Sequence, residues 1–391
     1  MPWKEVKPMD EKVFFIADSL REVDSFSQLC QRYGISRKTG YKWLARYRKL
    51  GADGLSERSR RPQSCADTTP FVVQQAILEL RGIGCAPPGP KKLQVLLAAR
   101  FSGDLIPSKT TIYNILKRAG QIEPQRRRRR VAARPCTLTR ADTPNALWSA
   151  DYKGQFKTRD GHWCYPLTIM DHASRYLLRC RGLPGTSFDG ARNIFENLFR
   201  EYGLPDRLRT DNGAPFASIG VGGLSRLSLW WVRLGILPER IDPGRPQQNG
   251  RHERMHRTLK QAVTHPPAQT LRQQQTLFNR FQREYNEERP HEGLGQRTPA
   301  SCYAASQRVY PERLPELEYP NWYRCQKVSA NGVMYCLGRR VYVGYLLSGQ
   351  WMGLEAVTDG EWDVYFGPLR LGHFNERDTR GAQNDYIVLK V

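Results

Sequence analysis

Residues 147–210 constrain the fold more than any other part of the chain. Residues 147–156, 163–170 and 176–180 each read as a strand. Residues 188–202 carry Phe188, Ala191, Ile194, Phe195, Leu198 and Phe199 at helical spacing, and 207–210 reads as a further short strand. Three strands, a helix and another strand predict a mixed sheet with helices packed against it. Asp151 lies in the first of these strands, and Asp211 follows the last. If those two strands are neighbours, the carboxylates converge at one edge of the sheet. After the turn residues Pro243, Gly244 and Pro246, residues 247–265 read as a long helix with Glu253 in its first half.

Each carboxylate alone has an ordinary explanation. Asp-Asn-Gly is a common turn, Asp151 could simply end a strand, and Glu253 could pair with Arg257 one helical turn on. Asp171 and Asp189 compete as acidic residues, and Asp171 is assigned to the turn before Ala-Ser-Arg-Tyr. Together, three carboxylates from three elements suit hard divalent cations, which take oxygen ligands and keep several waters. Two such cations about 3.5–4 Å apart activate the attacking and leaving oxygens of a phosphodiester.

The remainder of the chain is basic. Its 61 Lys+Arg against 38 Asp+Glu give a formal net charge of +23, which points to a polyanionic partner. Cations displace condensed counterions from phosphates and bind any sequence with salt-dependent affinity. The sequence shows no long apolar run, signal peptide or lipidation motif. A soluble cytoplasmic, nucleoid-associated protein is expected, with double-stranded DNA as partner, no membrane and no small-molecule cofactor. The nine cysteines are scattered without a CxxC pair, so a reduced chain without a disulfide framework or zinc site is expected. His162 and Cys164 read as ordinary strand residues.

The N-terminal third reads as two helical modules. Residues 9–21 form a helix with a stripe of Val13, Phe14, Ile16, Ala17 and Leu20. Ser25 caps a short helix bearing Phe26, Leu29 and Cys30, and Gly34 allows a turn. A third helix then follows Ser36, with Trp43, Leu44 and Tyr47 inward. Helix, glycine turn, helix is the helix-turn-helix pattern. Arg37, Lys38, Lys42 and Arg46 load its third helix with cations for a major groove. Residues 70–82, with Val72, Val73, Ala76, Ile77 and Leu80 at helical spacing, begin a second module. Residues 91–100 and a helix capped by Ser108 continue it, the last with Ile112, Ile115 and Leu116 inward. Lys109, Thr110, Thr111, Tyr113 and Asn114 are its candidate DNA face. Arg126, Arg127, Arg128, Arg129 and Arg130 form an unbroken run, read as a linker that tracks phosphates.

Residues 143–303 resemble the catalytic core of DDE transposases of bacterial insertion sequences, relatives of retroviral integrases. The resemblance rests on five phrases in order. These are Trp-Ser-Ala-Asp-Tyr around Asp151, Arg-Thr-Asp-Asn-Gly around Asp211, and Gln-Asn-Gly-Arg-His-Glu-Arg around Glu253. Tyr-Asn-Glu-Glu-Arg-Pro-His-Glu-Gly-Leu and Thr-Pro-Ala follow. The resemblance implies a ribonuclease-H-like fold and two Mg²⁺ ions, with Mn²⁺ as a substitute, held by Asp151, Asp211 and Glu253. It also implies that Lys260 contacts the element end. Helical spacing independently puts Glu253, His256 or Arg257, and Lys260 on one face. The interval from Asp211 to Glu253 exceeds that typical of the retroviral members. Residues 217–235 are expected to absorb the difference in loops around the site. The zinc-binding head of the retroviral proteins is absent, and helix-turn-helix modules stand in its place.

Residues 322–391 change character. Val341-Tyr-Val, Trp362-Asp-Val-Tyr-Phe and Leu369-Arg-Leu read as strands, and Asp359-Gly360 as a hairpin turn. A small β-barrel is expected, and the resemblance implies that it is similar to the SH3-like barrel found beyond the core in integrases. The chain is thus read as a multidomain α/β protein. All-α helix-turn-helix modules (1–60 and 66–122) and a basic linker (123–142) precede a ribonuclease-H-like core with a mixed sheet (143–305), and the barrel (320–391) follows. The expected function is cleavage and joining of DNA strands by a homo-oligomer holding two element ends. The rivals are a helix-turn-helix DNA-binding regulator with an inactive core and a nuclease that cleaves without joining.

Overall fold

The computed structural model describes residues 8–57, 68–122, 138–218, 220–378 and 386–390. The arginine run Arg126 to Arg130 lies outside the described residues. Two compact units are present, Met1–Thr68 and Thr69–Val391. Among the described residues no helix is long and apolar enough to cross a membrane, and all seven cysteines are free.

The first unit consists of α1 (Pro8–Arg21), α2 (Phe26–Arg32) and α3 (Arg37–Leu50). Ser25 and Gln28 form a capping box at the start of α2, and Ser36 caps α3. Between them Gly34 takes φ +63°, a left-handed turn that glycine adopts without a steric penalty. Phe15, Ile16, Leu29, Cys30, Trp43 and Leu44 form the core. The stripe expected on α1 is rotated: Val13, Phe14 and Leu20 are exposed and Phe15 points inward. Too many apolar residues crowd α1 for one face to bury, and the positions of α2 and α3 select the face. Gly40 on α3 is buried because an added Cβ would lie 2.8 Å from Cys30 Sγ.

In the second unit, α4 (Phe71–Gly82), α5 (Pro90–Ala98) and α6 (Lys109–Arg118) enclose Val73, Ile77, Leu80, Leu93, Leu97, Ile112, Ile115 and Leu116. Val72, expected inside, is exposed. The sheet of the core comprises β1 (Trp148–Tyr152), β2 (Phe156–Lys157), β3 (Trp163–Asp171), β4 (Leu177–Leu183), β5 (Arg207–Thr210) and β6 (Leu237–Arg240). β3 pairs antiparallel with β1, β2 and β4, whereas β5 and β6 run parallel to β1. Helices α7 (Phe188–Tyr202) and α8 (Arg226–Arg233) cover one face, and α9 (Gly250–Val263) and α10 (Leu271–Arg283) cover the other. The sheet is buried on both sides, so side chains alternate between the two clusters. Trp148, Ala150, Leu167, Ile169 and Leu208 meet α7 and α8, while Cys164 and Met170 meet α9 and α10.

The segment expected to be loops, 217–235, instead contains α8. Its Leu227, Trp230 and Trp231 are buried against α7. Ser225 caps that helix with a Ser-x-x-Ser box, too weak a sequence signal to be read in advance. The helix expected over 247–265 starts later, because Pro246–Asn249 forms a 3₁₀ turn.

The C-terminal residues form a four-stranded sheet of β7 (Arg324–Lys327), β10 (Trp351–Thr358), β11 (Glu361–Phe366) and β12 (Leu369–Asn375). A second sheet has three strands, β8 (Val333–Cys336), β9 (Arg339–Tyr342) and β13 (Tyr386–Val388). Both sheets share one apolar cluster, as the walls of a small barrel do. The bridge between His373 and Lys390 ties them at one seam, and among the described residues no continuous ladder closes them. The Asp359-Gly360 hairpin forms as expected.

Candidate active site

Strand register assembles the carboxylates. Trp148 pairs with Leu208 and Ser149 with Arg209 in the parallel ladder of β1 and β5. Continued by two residues, that register sets Asp151 beside Asp211, on strands that neighbour at about 4.8 Å. Alternation then assigns the face. Trp148, Ala150 and Leu208 point toward α7 and α8, so Ser149, Asp151 and Arg209 point toward α9, which carries Glu253, and Asp211 follows directly on β5.

The approach to α9 is anchored to the same strands. Arg209 donates Nη1–H to the Gln248 carbonyl, 3.2 Å, and forms a buried ion pair with Glu239. Gln248 accepts from Asp242 N–H at 2.6 Å and donates to its carboxylate at 2.8 Å. The turn that starts α9 is thereby tied to β5 and to the residues after β6.

The three carboxylates differ in setting. Asp151 and Asp211 are half-buried and Glu253 is exposed. Burial, then the charges of Asp211 and, more weakly, Glu253, push the Asp151 carboxyl up to about 7. Lys153 and the Tyr152 N–H oppose that shift. Asp211 accepts the Gly213 N–H at 3.1 Å. Asp171, by contrast, is wholly buried and accepts from Asn145 N–H, Ser174 N–H and Ser174 Oγ–H. It shapes a turn, as expected from the sequence.

The sequence reading overlooked a histidine pair beneath Asp151. His252 and His256, one turn apart on α9, both meet the Thr168 hydroxyl through Nε2, at 2.7 and 2.6 Å. His252 Nδ1 also meets Ser149 Oγ at 2.8 Å, and His256 Nδ1 lies 3.5 Å from Asp151 Oδ2. Burial holds both imidazoles well below their ordinary pKa, so they are neutral. Asp151, His252 and His256 have metal-ligand atoms within 4.8 Å of one another. Three of the four ring nitrogens already engage hydroxyls, which makes the pair a buried strut between α9 and the sheet rather than a ligand set. One hydroxyl has a single proton, so at least one imidazole donates its Nε2–H to Thr168. His-x-x-x-His on a helix was the available signal. His256 therefore leaves the face proposed for Glu253 and Lys260, where Arg257 and Lys260 are exposed.

The donor chemistry fits divalent cations. Asp211 and, more weakly, Glu253 add repulsion to the burial that raises the Asp151 pKa, and a hard cation would relieve it.

The predicted DNA-contact residues divide similarly. Arg37, Lys38 and Lys42 are exposed on α3, as is Lys109 on α6 with Thr110, Tyr113 and Asn114. Arg46 is instead half-buried, with its guanidinium 4.9 Å from the centre of the Trp43 ring.

Integrase core domain models match residues 141–246 and 234–299, and homeodomain-like domain models match 16–56 and 39–116. The chain is 26% identical over 200 residues to the insertion element IS407 uncharacterized 31.7 kDa protein of Burkholderia multivorans, covering 51% of this chain and 69% of that protein. It is 28% identical over 176 residues to the Gag-Pol polyprotein of baboon endogenous virus, covering 45% of this chain. The match spans only 10% of that polyprotein's length. Among solved structures, the HTLV-2 integrase catalytic core domain in complex with magnesium is matched over 42% of this chain and all of that chain, at 16% identity and TM-score 0.33. The chain thus carries an integrase core preceded by homeodomain-like helix-turn-helix domains.

Proposed function

We propose that this integrase-core chain is a DNA transposase of the insertion-sequence kind. It binds the ends of a mobile element, frees 3′-hydroxyls there and joins them to target DNA. What supports this reading is the parallel pairing of β1 with β5, whose continuation sets Asp151 beside Asp211, together with the anchoring of β5 to the turn that starts the helix bearing Glu253.

In this reading Asp151, Asp211 and Glu253 hold two Mg²⁺ ions, or Mn²⁺ in their place. When bound, such ions offset the charge that develops on the attacking and leaving oxygens of the phosphodiester. The carboxylates fix the position of that charge, and the histidine strut keeps Asp151 and Glu253 in register. Arg257 and Lys260 bind phosphates of the element end beside the reacting bond. Arg37, Lys38 and Lys42 on α3, and Lys109 on α6, contact DNA further along the end.

Two in-line displacements follow. Water attacks an element-end phosphodiester, a P–O bond breaks, and a 3′-hydroxyl leaves. That hydroxyl then attacks a target phosphodiester, forming a new P–O bond and releasing a target 3′-hydroxyl. Bond number is conserved in the second step, so no external energy source is needed. Both ends must be held together, which calls for a homo-oligomer on DNA.

The test is a joining assay with element ends, a plasmid target and Mg²⁺, comparing wild type with Glu253→Gln. Junctions from the wild type alone are expected. Equal joining by both would remove Glu253 from the site, and end binding without joining by the wild type would favour a regulator.

A further inference from the structure

A cleft of about 430 Å³ lies along the opposite flank of α9 from Glu253. At 100° per residue, Arg257 and Lys260 lie within about 40° of Glu253 round the helix axis, whereas Arg254 and Arg251 lie about 100° and 160° away. These last two line the cleft together with Arg140, Arg175, Arg209 and His172. They come from the segment before β1, the turn after β3, β5 and the start of α9. No lining residue is a carboxylate.

The positive charge is poorly matched. Arg209 is committed to Glu239 at 2.8 Å. Arg251 donates to the His172 carbonyl, with Asp142 and Asp171 near enough to favour its charge. Arg140, Arg175 and Arg254 form no ion pair within 4 Å among the described residues, although Arg254 lies within electrostatic reach of Glu292, which pairs with Lys91. Arg175 Nε is buried without a hydrogen-bond partner, while the buried His172 imidazole has the Asn249 side chain beside it. Burial, with Arg251 and Arg254 adding repulsion, pushes the Arg175 guanidinium down to about 10. The unpartnered buried Nε–H of Arg175 and the mutually repelling guanidinium groups form an environment that a multi-oxygen anion would satisfy. Guanidinium forks match phosphate oxygens in pairs.

We infer that this cleft binds a phosphate group of a DNA strand, so that α9 lies between two strand paths, one at the carboxylates and one at Arg140, Arg175 and Arg254. The identification of the strand rests on the transposase reading; the phosphate chemistry does not.

The test compares the full-length protein carrying Arg140→Gln and Arg254→Gln with wild type and with Arg181→Gln, an exposed control on β4. Phosphate-ethylation interference is read on duplexes bearing element ends, and thermal unfolding is read with and without inorganic pyrophosphate. One or more phosphates whose ethylation weakens wild type and control should cease to matter in the double variant. The slope of log affinity against log salt should fall by about 0.9 for each such phosphate. Identical interference and slopes in all three proteins, with no difference in pyrophosphate stabilisation, overturn the inference. If only pyrophosphate stabilisation is lost, the phosphate site stands and the strand assignment falls. If wild type does not bind the ends at all, the transposase reading fails. The cleft is then judged by pyrophosphate, and equal stabilisation of all three proteins overturns it.

Discussion

Replacing Asp151 by Asn should make the metal-free protein more stable while abolishing joining. In the folded chain the Asp151 carboxyl titrates at about 7 instead of 3.8, first because of burial and then because of Asp211. A folded-state pKa above the unfolded one contributes stability in full below pH 3.8, and that contribution is lost as pH rises toward about 7. At about 1.4 kcal/mol per unit, wild type forgoes roughly 4 kcal/mol above that window. The buried amide of Asn carries its own desolvation cost of about 1–2 kcal/mol. The net gain for Asp151→Asn is therefore about 2–3 kcal/mol near neutral pH, fading toward zero or below as pH falls to about 4. Denaturant unfolding in EDTA, followed by tryptophan fluorescence across that pH range, measures it. Saturating Mg²⁺ should narrow the gap, because it stabilises wild type in proportion to its affinity for the folded site. A variant no more stable than wild type in EDTA above about pH 7 would refute the reasoning, since burial and Asp211 would then not penalise the charged Asp151 carboxylate.

Trp231→Ala should cost about 3–5 kcal/mol in denaturant unfolding, since Trp231 is fully buried between α8 and the sheet. Gly40→Val should unfold the first helix-turn-helix and weaken binding to element ends in gel-shift assays. Its Cβ would meet Cys30, Phe15 and Phe26 at 2.8–3.0 Å, while core unfolding should be unchanged. Thr168→Val removes the hydroxyl shared by His252 and His256. A loss of about 1–3 kcal/mol for each imidazole left unsatisfied is expected, with slower joining at unchanged affinity for the ends.

What could be read from the chain alone followed local rules. Residues 188–202 and 207–210 matched α7 and β5 because their apolar spacing and boundaries are written in adjacent residues. Ser25, Ser36 and Ser108 capped the helices expected of them, since a cap needs only a backbone N–H three residues on. The phrases and order of Asp151, Asp211 and Glu253 single the three out as candidates, but the direction of each carboxylate is not written in them. That depends on the two-residue alternation of β1 and β5 and on their parallel register, which are properties of paired strands. Tertiary packing likewise turned residues 217–235 into a buried helix and rotated the inward face of α1 onto Phe15. It also moved His256 off the flank of Glu253 to brace Asp151 from below. The arginine cleft had no signature in the sequence, because its cations come from segments separated by up to 114 residues and meet only where β3 turns toward α9. Short-range spacing determines which elements form and which side chains they can offer. Long-range pairing alone decides which offered charges face each other, because Coulomb energy depends on distance in space and not along the chain.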